Sequence, residues 1–501
     1  MSIKNLQEIS SLVTNYTKKN RFVEIVEEDE GESKYLQLIR GLGEKSWQNE
    51  EEAIQGIYGK QLGDKTFAML KTRAKERLVN MIFQLDTQKR FKSSYDKAYF
   101  LTCKNLLAGT VLLIQGRLKS GEEQLKLALT TSRKYYFTDL SIVSLRFLRN
   151  INSFSGSKQT FGKYNSEIKL VMKTLQAELE AEELNQELIL EVVASVELKD
   201  NWIEKVKHNY EELQKIVEKY DTYSTRLNMY RVGIRYFDSI YDYKNAIRLA
   251  SECEYYLKSN PHLIQRVRLG EMNLNKLYGS LHLRDYINGS EYAKTCMTLF
   301  NPGTLNWLIF LEFYFLLCLH TQNHEQAVEI YLQVINHPSF NGYPPQNKEK
   351  WKIFESFLIY TLPEQDKMNR KFNIPKFLNE VPLYSKDKAG YNLSIIIAQT
   401  ILSLKIGDYE KIVERAEALK LYANRYIKKE KNPRSYYFIK MLLVMIQYDF
   451  DPKKTEQIAN KFFIKLKESQ LGMQSELESL EVIPYDLLWP EILKKLSVPQ
   501  V

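Results

Sequence analysis

A short pattern recurs four times between residues 241 and 416. Each copy has a tight turn, usually with an Asp beside an aromatic residue, and a small or apolar residue opens the helix-like segment that follows. The copies are YDYKNAIRLA (Tyr241–Ala250), RDYINGSEYA (Arg284–Ala293), NHEQAVEIYL (Asn323–Leu332) and GDYEKIVERA (Gly407–Ala416). The equivalent small or apolar positions are Ala246, Gly289, Ala327 and Ile412, with spacings of 43, 38 and 85 residues. A repeat near forty residues predicts stacked helical hairpins, because one hairpin cannot bury its apolar face alone.

The Asp-Tyr pairs at 242–243, 285–286 and 408–409 resemble the turn of tetratricopeptide repeats. In that turn a small residue lets the two helices approach closely. The period exceeds the about 34 residues of that repeat, so lengthened helices are expected. The predicted fold is all-α: a tetratricopeptide-like α-solenoid of helical hairpins with a concave side, preceded by a small N-terminal helical region.

Proline usage supports a helical chain. All 13 Pro residues lie at or after Pro261, and proline breaks helices because it removes a hydrogen bond and clashes with the preceding turn. Long charged helices are predicted at Tyr164–Glu180, Glu182–Val196 and Asn201–Tyr220. The predicted organisation is an N-terminal region 1–92, hairpins 93–220, a solenoid 221–470 with an insertion at 363–390, and a C-terminal cap 471–501.

The N-terminal region contains a basic helix. Helices are predicted at Ser33–Leu42, Glu50–Tyr58 and Lys65–Leu85, and the last of these carries basic residues mostly off its apolar stripe: Lys71, Arg73, Lys75 and Arg77. A short helix, a turn and a longer basic helix also occur in winged-helix domains, where such a helix contacts nucleic acid. Since no β-wing is evident, a solvated helix face explains the same charges. Both interpretations stay open.

A second basic cluster lies towards the C-terminus. Seven residues form a candidate partner-binding set: Lys386, Lys388, Arg425, Lys428, Lys429, Arg434 and Lys440. Arginine presents a planar fork that suits carboxylate or phosphate, and neighbouring tyrosines can stack on bases. An acidic peptide or a nucleic acid is therefore the candidate ligand. The alternative is that the tyrosines are core residues and that Arg425 or Arg434 pairs internally with Asp387 or Glu417.

Three C-terminal stretches carry a family resemblance: FLNEVPLYSKDKAGYNLSII (Phe377–Ile396), EALKLYANRYIKKEKNPRSYYFIKMLL (Glu417–Leu443) and LEVIPYDLLW (Leu480–Trp489). They resemble an uncharacterised family of cytoplasmic tetratricopeptide-like proteins from Bacteroidetes. The resemblance extends more loosely to the N-terminal SKYLQLIRGL and KTFAMLKTRAKERL. It implies a bacterial helical-repeat protein, and it implies no reaction, ligand or site residue.

No motif for catalysis, cofactor or metal binding is evident. The six His residues lack metal-binding spacing, and the four cysteines are far apart: Cys103, Cys253, Cys296 and Cys318. The most apolar run, Leu305–Leu319, is too short to span a bilayer and contains Glu312. With no apolar signal core at the N-terminus, a cytoplasmic protein that does not enter membranes is expected.

Net charge is +9, which permits an acidic partner without requiring one. The predicted function is that of a non-enzymatic scaffold or adaptor, which binds a protein partner through the concave solenoid surface and the basic C-terminal patch. The alternative is a nucleic-acid-associated regulator that uses the basic N-terminal helix, the C-terminal patch or both.

Overall fold

The structure, a computed structural model, describes residues 2–14, 34–44, 46–59, 64–83, 91, 93–154, 156–194, 201–363, 366, 368, 372–379, 390–427, 429, 432–469 and 481–497. These residues form 22 α-helices, two short 3-10 helices and no strand. The prediction of an all-α chain is therefore confirmed. The chain divides into two compact units, Met1–Leu175 with His262–Gln265 and Gln176–Pro261 with Arg266–Val501.

The first unit is built from amphipathic helices. Its helices are α1 (Ile3–Thr14), α2 (Lys34–Gly43), α3 (Glu50–Tyr58), α4 (Asp64–Ile82), α5 (Ser94–Ile114), α6 (Leu118–Tyr135), α7 (Thr138–Phe154) and the first part of α8 (Lys158–Ala194). In α4 the apolar stripe lies in a core shared with α1 and α2, where Phe67 and Leu78 are fully buried. Within the described part of residues 1–92 there is no strand.

One sequence prediction in this region is wrong. Tyr164–Glu180 and Glu182–Val196 are not two helices, because Lys158–Ala194 is a single helix of 37 residues. The expected break falls at Ala181, which is fully buried within the helix. No Pro or Gly lies between Lys163 and Ala194, so nothing in the backbone stops the helix there.

The second unit contains the repeat copies. It begins within α8 and continues with α9 (Trp202–Lys219), α10 (Tyr223–Ser239), α11 (Tyr243–Ser259), α12 (Arg266–Leu283), α13 (Tyr286–Leu299), α14 (Leu305–His320), α15 (His324–Ile335), α16 (Pro345–Thr361), α17 (Ile374–Asn379), α18 (Gly390–Ile406), α19 (Tyr409–Tyr426), α20 (Pro433–Gln447), α21 (Pro452–Glu468) and α22 (Tyr485–Leu496). A 3-10 turn lies at Phe340–Gly342, and a second one, Pro261–Leu263, lies mostly in the segment that belongs to the first unit. From α9 to α16 each helix packs on its neighbour in sequence. Most of the predicted insertion 363–390 lies outside the described residues.

The four repeat copies coincide with four hairpin turns of one backbone form. Each turn has a residue of positive φ immediately before the helix N-cap: Tyr241 (60°), Arg284 (53°), Gln322 (59°) and Gly407 (74°). In each turn the N-cap N–H donates to the carbonyl five residues earlier, as from Asp242 to Phe237 and from Asp285 to Ser280, both at 2.9 Å. This arrangement satisfies carbonyls at the end of the first helix. The helical-hairpin turns are thus local features of the sequence.

A fifth turn of the same form joins α5 to α6. Gly116 has a φ of 74°, and the Arg117 N–H donates to the Leu112 carbonyl at 2.8 Å. The position equivalent to Ala246 is Gly121, where an added Cβ would lie 2.8 Å from a Leu113 methyl carbon. Only a residue without a side chain permits this approach of the two helices. The sequence pattern does not identify this turn as a repeat copy, because it lacks both the Asp and the aromatic residue.

The N-cap of α13 offers a direct test of these turns. The Asp285 carboxylate accepts the backbone N–H of Asn288 at 3.1 Å. Asp285→Ala should therefore lower the free energy of unfolding by about 1 kcal/mol, measured by urea unfolding followed by circular dichroism. Glu291→Ala, on the exposed face of the same helix, is the control and should change it by less than about 0.5 kcal/mol. Equal effects of the two variants would contradict the capping role.

The C-terminal segment of the second unit contacts helices far earlier in the chain. Arg284, in the turn between α12 and α13, donates to both carboxylate oxygens of Asp486 at 2.7 Å. His320, the last residue of α14, lies 2.8 Å from the Glu481 carbonyl oxygen. A solenoid in the strict sense has contacts only between neighbouring units. These contacts depart from that pattern, and they join the C-terminal helix to one core that runs from Leu277 to Ile492.

One described helix has the length and composition of a membrane span. Helix α5 covers 21 residues. An 18-residue window within it has a mean hydropathy of 1.2, and 17% of that window is buried. The apolar run in α14 is shorter, and it lies almost wholly in the core, where Trp307, Phe310 and Phe315 are buried.

Candidate functional site

The basic residues predicted at the N-terminus lie on α4 and have different surroundings. The Lys71 ammonium lies 2.6 Å from the Glu50 carboxylate, and its side chain is 16% exposed. The Arg77 guanidinium lies 4.7 Å from the centre of the Tyr35 ring. Arg73 and Lys75 are exposed. Two of the four predicted residues thus have partners within their own unit, and Glu50 offsets the charge of one of them.

The residues of the predicted C-terminal set do not form one described surface. Lys386, Lys388 and Lys428 lie outside the described residues. Arg425 and Lys429 are exposed. Lys440 is half-buried, and its ammonium lies 5.5 Å from the centre of the Tyr436 ring.

Arg434 is not a surface residue, which corrects its place in the candidate set. It is 7% exposed. Its guanidinium donates to both oxygens of Glu481 at 2.6 and 2.9 Å, to Asp486 at 2.6 Å, and to the carbonyls of Leu466 and Ser469 at 3.2 Å. All of its donor groups are engaged, so none is available to a partner. Internal pairing was the alternative interpretation, although the acidic residues are not the ones expected.

A cleft of about 530 Å³ in the second unit was not predicted. Four helices line it: α8, α10, α12 and the first turn of α14. Apolar side chains form much of its wall, and charged and amide side chains project among them: Asn185, Arg231, Arg235, Asp238, Arg268, Glu271, Asn275 and Asn306. Its volume lies within the roughly 300–1,000 Å³ of known ligand clefts.

Helical spacing places these side chains on one side. Arg231, Arg235 and Asp238 are four and three residues apart on α10, so they share a face of the helix. Arg268, Glu271 and Asn275 are related in the same way on α12. The Phe300 side chain also lines the cleft. That ring packs on α12 because Gly270 has no side chain, and a Cβ there would lie 2.5 Å from a ring carbon.

An ion cluster forms one wall of the cleft. The Arg231 guanidinium donates to both oxygens of Glu271 at 2.7 Å, and Arg268 donates to the same carboxylate at 3.2 Å. Burial would raise the pKa of Glu271, but the two guanidinium groups outweigh that effect and hold it below its ordinary value. One carboxylate, Glu271, thus pairs with two guanidinium groups, those of Arg231 and Arg268. The Nε of Arg268 is buried and has no hydrogen-bond partner among the described residues.

Arg235 is the least satisfied cation of the cleft. It is half-buried, and its only side-chain hydrogen bond to a described residue runs to the Asn185 amide oxygen at the long distance of 3.3 Å. The side-chain N–H of Asn185 in turn donates to the side-chain oxygen of Asn228 at 3.0 Å. A guanidinium has five N–H groups in a fixed fork. Most donors of Arg235 therefore have no acceptor in the described structure.

Asp238 lies one turn beyond Arg235 on α10. Its carboxylate forms neither a hydrogen bond nor an ion pair with any described residue, Arg235 included. Burial raises the pKa of Asp238 to about 7, with the charge of Arg235 acting in the opposite direction. A guanidinium and a carboxyl group thus lie side by side in the cleft without pairing.

Two amides complete the polar lining. Asn275 is half-buried on α12, and Asn306 is exposed at the start of α14. Neither side chain has a hydrogen-bond partner in the described part of the chain. Since each amide offers two donors and an acceptor, the pair complements a peptide backbone.

The cleft offers binding groups rather than nucleophiles. Its lining contains no Ser, Thr, Cys or His among the described residues. Elsewhere, burial raises the pKa of the Cys253 and Cys296 thiols to about 12, so neither is a thiolate at neutral pH. No group of three or more His, Cys, Asp or Glu side chains in the described residues is placed to hold a metal ion. Ion pairing and hydrogen bonding are therefore the chemistry that the cleft provides.

A signal for the cleft exists in the sequence, although it is weak. Charged residues at helical spacing occur in RVGIRYFDS of α10 and in RVRLGEMNLN of α12. Both segments are the first helix of a hairpin, whereas the repeat signal lies at the start of the second helix. Comparison of the chain with protein families, with curated proteins and with solved structures finds no match. The resemblance to a tetratricopeptide-like family therefore stays a prediction.

Proposed function

We propose that this protein is a non-enzymatic scaffold of tetratricopeptide-like hairpins and that it binds an acidic segment of a protein partner in the arginine-lined cleft. Support for the repeat arrangement comes from which helices line the cleft. Of the hairpins α10–α11, α12–α13 and α14–α15, only the first helices contribute lining side chains, apart from Phe300 just beyond α13. In a solenoid, the first helices of successive hairpins lie on one side and form a concave binding face.

The observation that carries the proposal is the state of Arg235. A half-buried guanidinium with one long hydrogen bond has unsatisfied donors in a partly dry site. Unpaired polar groups in such surroundings are costly, and a ligand carboxylate removes the cost. The cleft contains three guanidinium groups and two carboxyl groups. Glu271 is ionised, and Asp238 is about half-protonated near pH 7. The net charge of the cleft is therefore positive.

The apolar and amide groups indicate a peptide rather than a free small anion. Ile234, Val267 and Leu274 line the cleft beside the charged residues, and they would contact aliphatic side chains. Asn275 and Asn306 supply donors and acceptors for a peptide group. A segment with one acidic residue between apolar residues matches both sets of groups.

End-blocked heptapeptides test the proposal. Each probe has Leu around a central Asp, Glu, Asn or Lys, carries a fluorescein label, and is titrated with the full chain by fluorescence anisotropy. The Asp and Glu peptides should bind most tightly. Arg235→Ala should weaken binding of the Asp peptide by about 30-fold, since loss of one partner of a partly buried charge pair costs about 2 kcal/mol or more.

Arg248→Ala is the matched control. Arg248 lies on α11, outside the cleft, where it pairs with Glu252 on an exposed face. Its removal should leave the dissociation constant within about twofold. Preference for the Lys peptide, or an unchanged dissociation constant in Arg235→Ala, would contradict the proposal. Binding of a labelled DNA duplex that depends on Arg73 and Lys75, without any peptide binding, would favour the nucleic-acid alternative instead.

A further inference from the structure

We infer that Asp238 couples ligand binding in the cleft to a proton, so that the carboxylate of an acidic segment is bound while Asp238 is protonated. The inference rests on the proposed function, because it concerns the same cleft. The proton comes from solvent and binds a carboxylate oxygen of Asp238. The resulting O–H donates a hydrogen bond to the ligand carboxylate, while the guanidinium of Arg235 pairs with the same ligand.

The positions of Arg235 and Asp238 support this inference. Arg235 and Asp238 carry opposite charges on one face of α10, yet they form no ion pair, and neither side chain is fully satisfied by the described residues. A ligand between them would contact both. A carboxylate ligand satisfies the donors of Arg235 directly, but it faces Asp238 as a second carboxylate. Two adjacent carboxylates share one proton, because both cannot remain ionised at close distance.

The other charged groups around Asp238 keep one protonation state near neutral pH. On α10, Arg231 and Arg235 are cations, as is Arg268 on α12. Glu271 stays ionised, because its guanidinium partners hold its pKa below the ordinary value despite burial. Tyr243 on α11 faces Asp238 as well, and burial raises the pKa of its hydroxyl far above neutrality. Asp238, with a pKa raised to about 7 by burial, is therefore the group that titrates.

The test compares two end-blocked heptapeptides with a central Asp or Asn. Calorimetric titrations of the full chain at pH 6 to 8.5, in buffers of different ionisation enthalpy, give the affinity and the number of protons taken up. For the Asp peptide we expect little proton uptake at pH 6, where Asp238 of the free protein is already protonated, about half a proton at pH 7 and about one proton above pH 8. Its affinity should fall as the pH rises above 7, by up to about tenfold per pH unit.

Asp238→Asn has nearly the same shape and cannot titrate. It should abolish proton uptake and the pH dependence for the Asp peptide. Circular dichroism melting checks that the variant is folded. Proton-independent binding of the Asp peptide by the natural chain, or a pH dependence that persists in Asp238→Asn, would overturn this inference while leaving the proposed function in place. Absence of peptide binding at every pH would overturn both.

Discussion

Replacing Arg434 by Met should lower the free energy of unfolding of the second unit by about 3–5 kcal/mol. Arg434 is 7% exposed and binds Glu481 and Asp486, whose side chains are 8% and 15% exposed. Met fills much of the same volume but leaves the buried Glu481 carboxylate without its counter-charge, and Asp486 keeps only Arg284. The Glu481 carboxylate also accepts the Tyr485 backbone N–H at 2.9 Å. The start of α22 is therefore expected to lose its attachment first.

Urea unfolding followed by tryptophan fluorescence measures this effect, because the fully buried Trp489 lies on α22. Lys453→Met, at an exposed position of α21, is the matched control and should change stability by less than about 0.5 kcal/mol. Combining Arg434→Met with Glu481→Gln should recover part of the loss, since one uncompensated charge is removed. A loss in Arg434→Met no larger than that in the control would contradict a buried ion network.

Acidification should destabilise the second unit already between pH 6.5 and 4.5. Burial lowers the pKa of His320 from 6.5 to about 3, although its hydrogen bond to the Glu481 carbonyl acts the other way. A carbonyl can only accept, so Nε2 carries the proton, and the buried Nδ1 has no partner among the described residues. Between the two pKa values the unfolded chain binds more protons than the folded chain. The free energy of unfolding therefore falls as the pH falls, by about 1.4 kcal/mol per pH unit and by about 3 kcal/mol between pH 6.5 and 4.5.

His320→Gln isolates this contribution, because an amide N–H can replace Nε2–H towards the Glu481 carbonyl without titrating. The slope of stability against pH should become shallower in that variant. Burial also lowers the pKa of His324, which adds to the slope in the same direction. His208→Gln, at an exposed position of α9, is the control and should leave the profile unchanged. A profile for His320→Gln identical to that of the natural chain would contradict the assignment.

Carboxylates extend the acid sensitivity to lower pH. Burial would raise the pKa of Glu254, but hydrogen bonds from Lys258, Lys276 and Asn273 outweigh it and lower the pKa from 4.5 to about 2. A depressed carboxyl pKa contributes stability above the unfolded pKa and loses it as pH falls towards the folded value. Between pH 4.5 and about 3 the contribution of Glu254 adds to that of His320, and between about pH 3 and 2 only the contribution of Glu254 still changes with pH.

Much of the secondary structure was predictable because its causes are local. Helix Glu50–Tyr58 has the predicted bounds, with three Glu residues in its first turn, where the helix dipole favours negative charge. Three of the four repeat copies have an Asp N-cap, whose carboxylate accepts the backbone N–H three residues further on. The predicted break in α8 fell between Glu180 and Glu182, where no local residue stops a helix.

The surface assignment was not predictable in the same way. Arg425 and Arg434 lie nine residues apart, and each has a tyrosine close by in sequence. Arg425 is exposed, whereas Arg434 is buried. The difference comes from Glu481 and Asp486, 47 and 52 residues further along the chain. No local pattern contains that information.

The sequence by itself determined an all-α chain and the positions of four hairpin turns, because helix periodicity, N-caps and left-handed turn residues act over a few residues. Only the tertiary structure decided which charges are buried and which face a ligand. Arg231 meets Glu271 across 40 residues, and Arg235 meets Asn185 across 50. The arginine-lined cleft exists because α8, α10, α12 and α14 place such side chains on one side. Packing between helices, rather than any single segment, creates the candidate site.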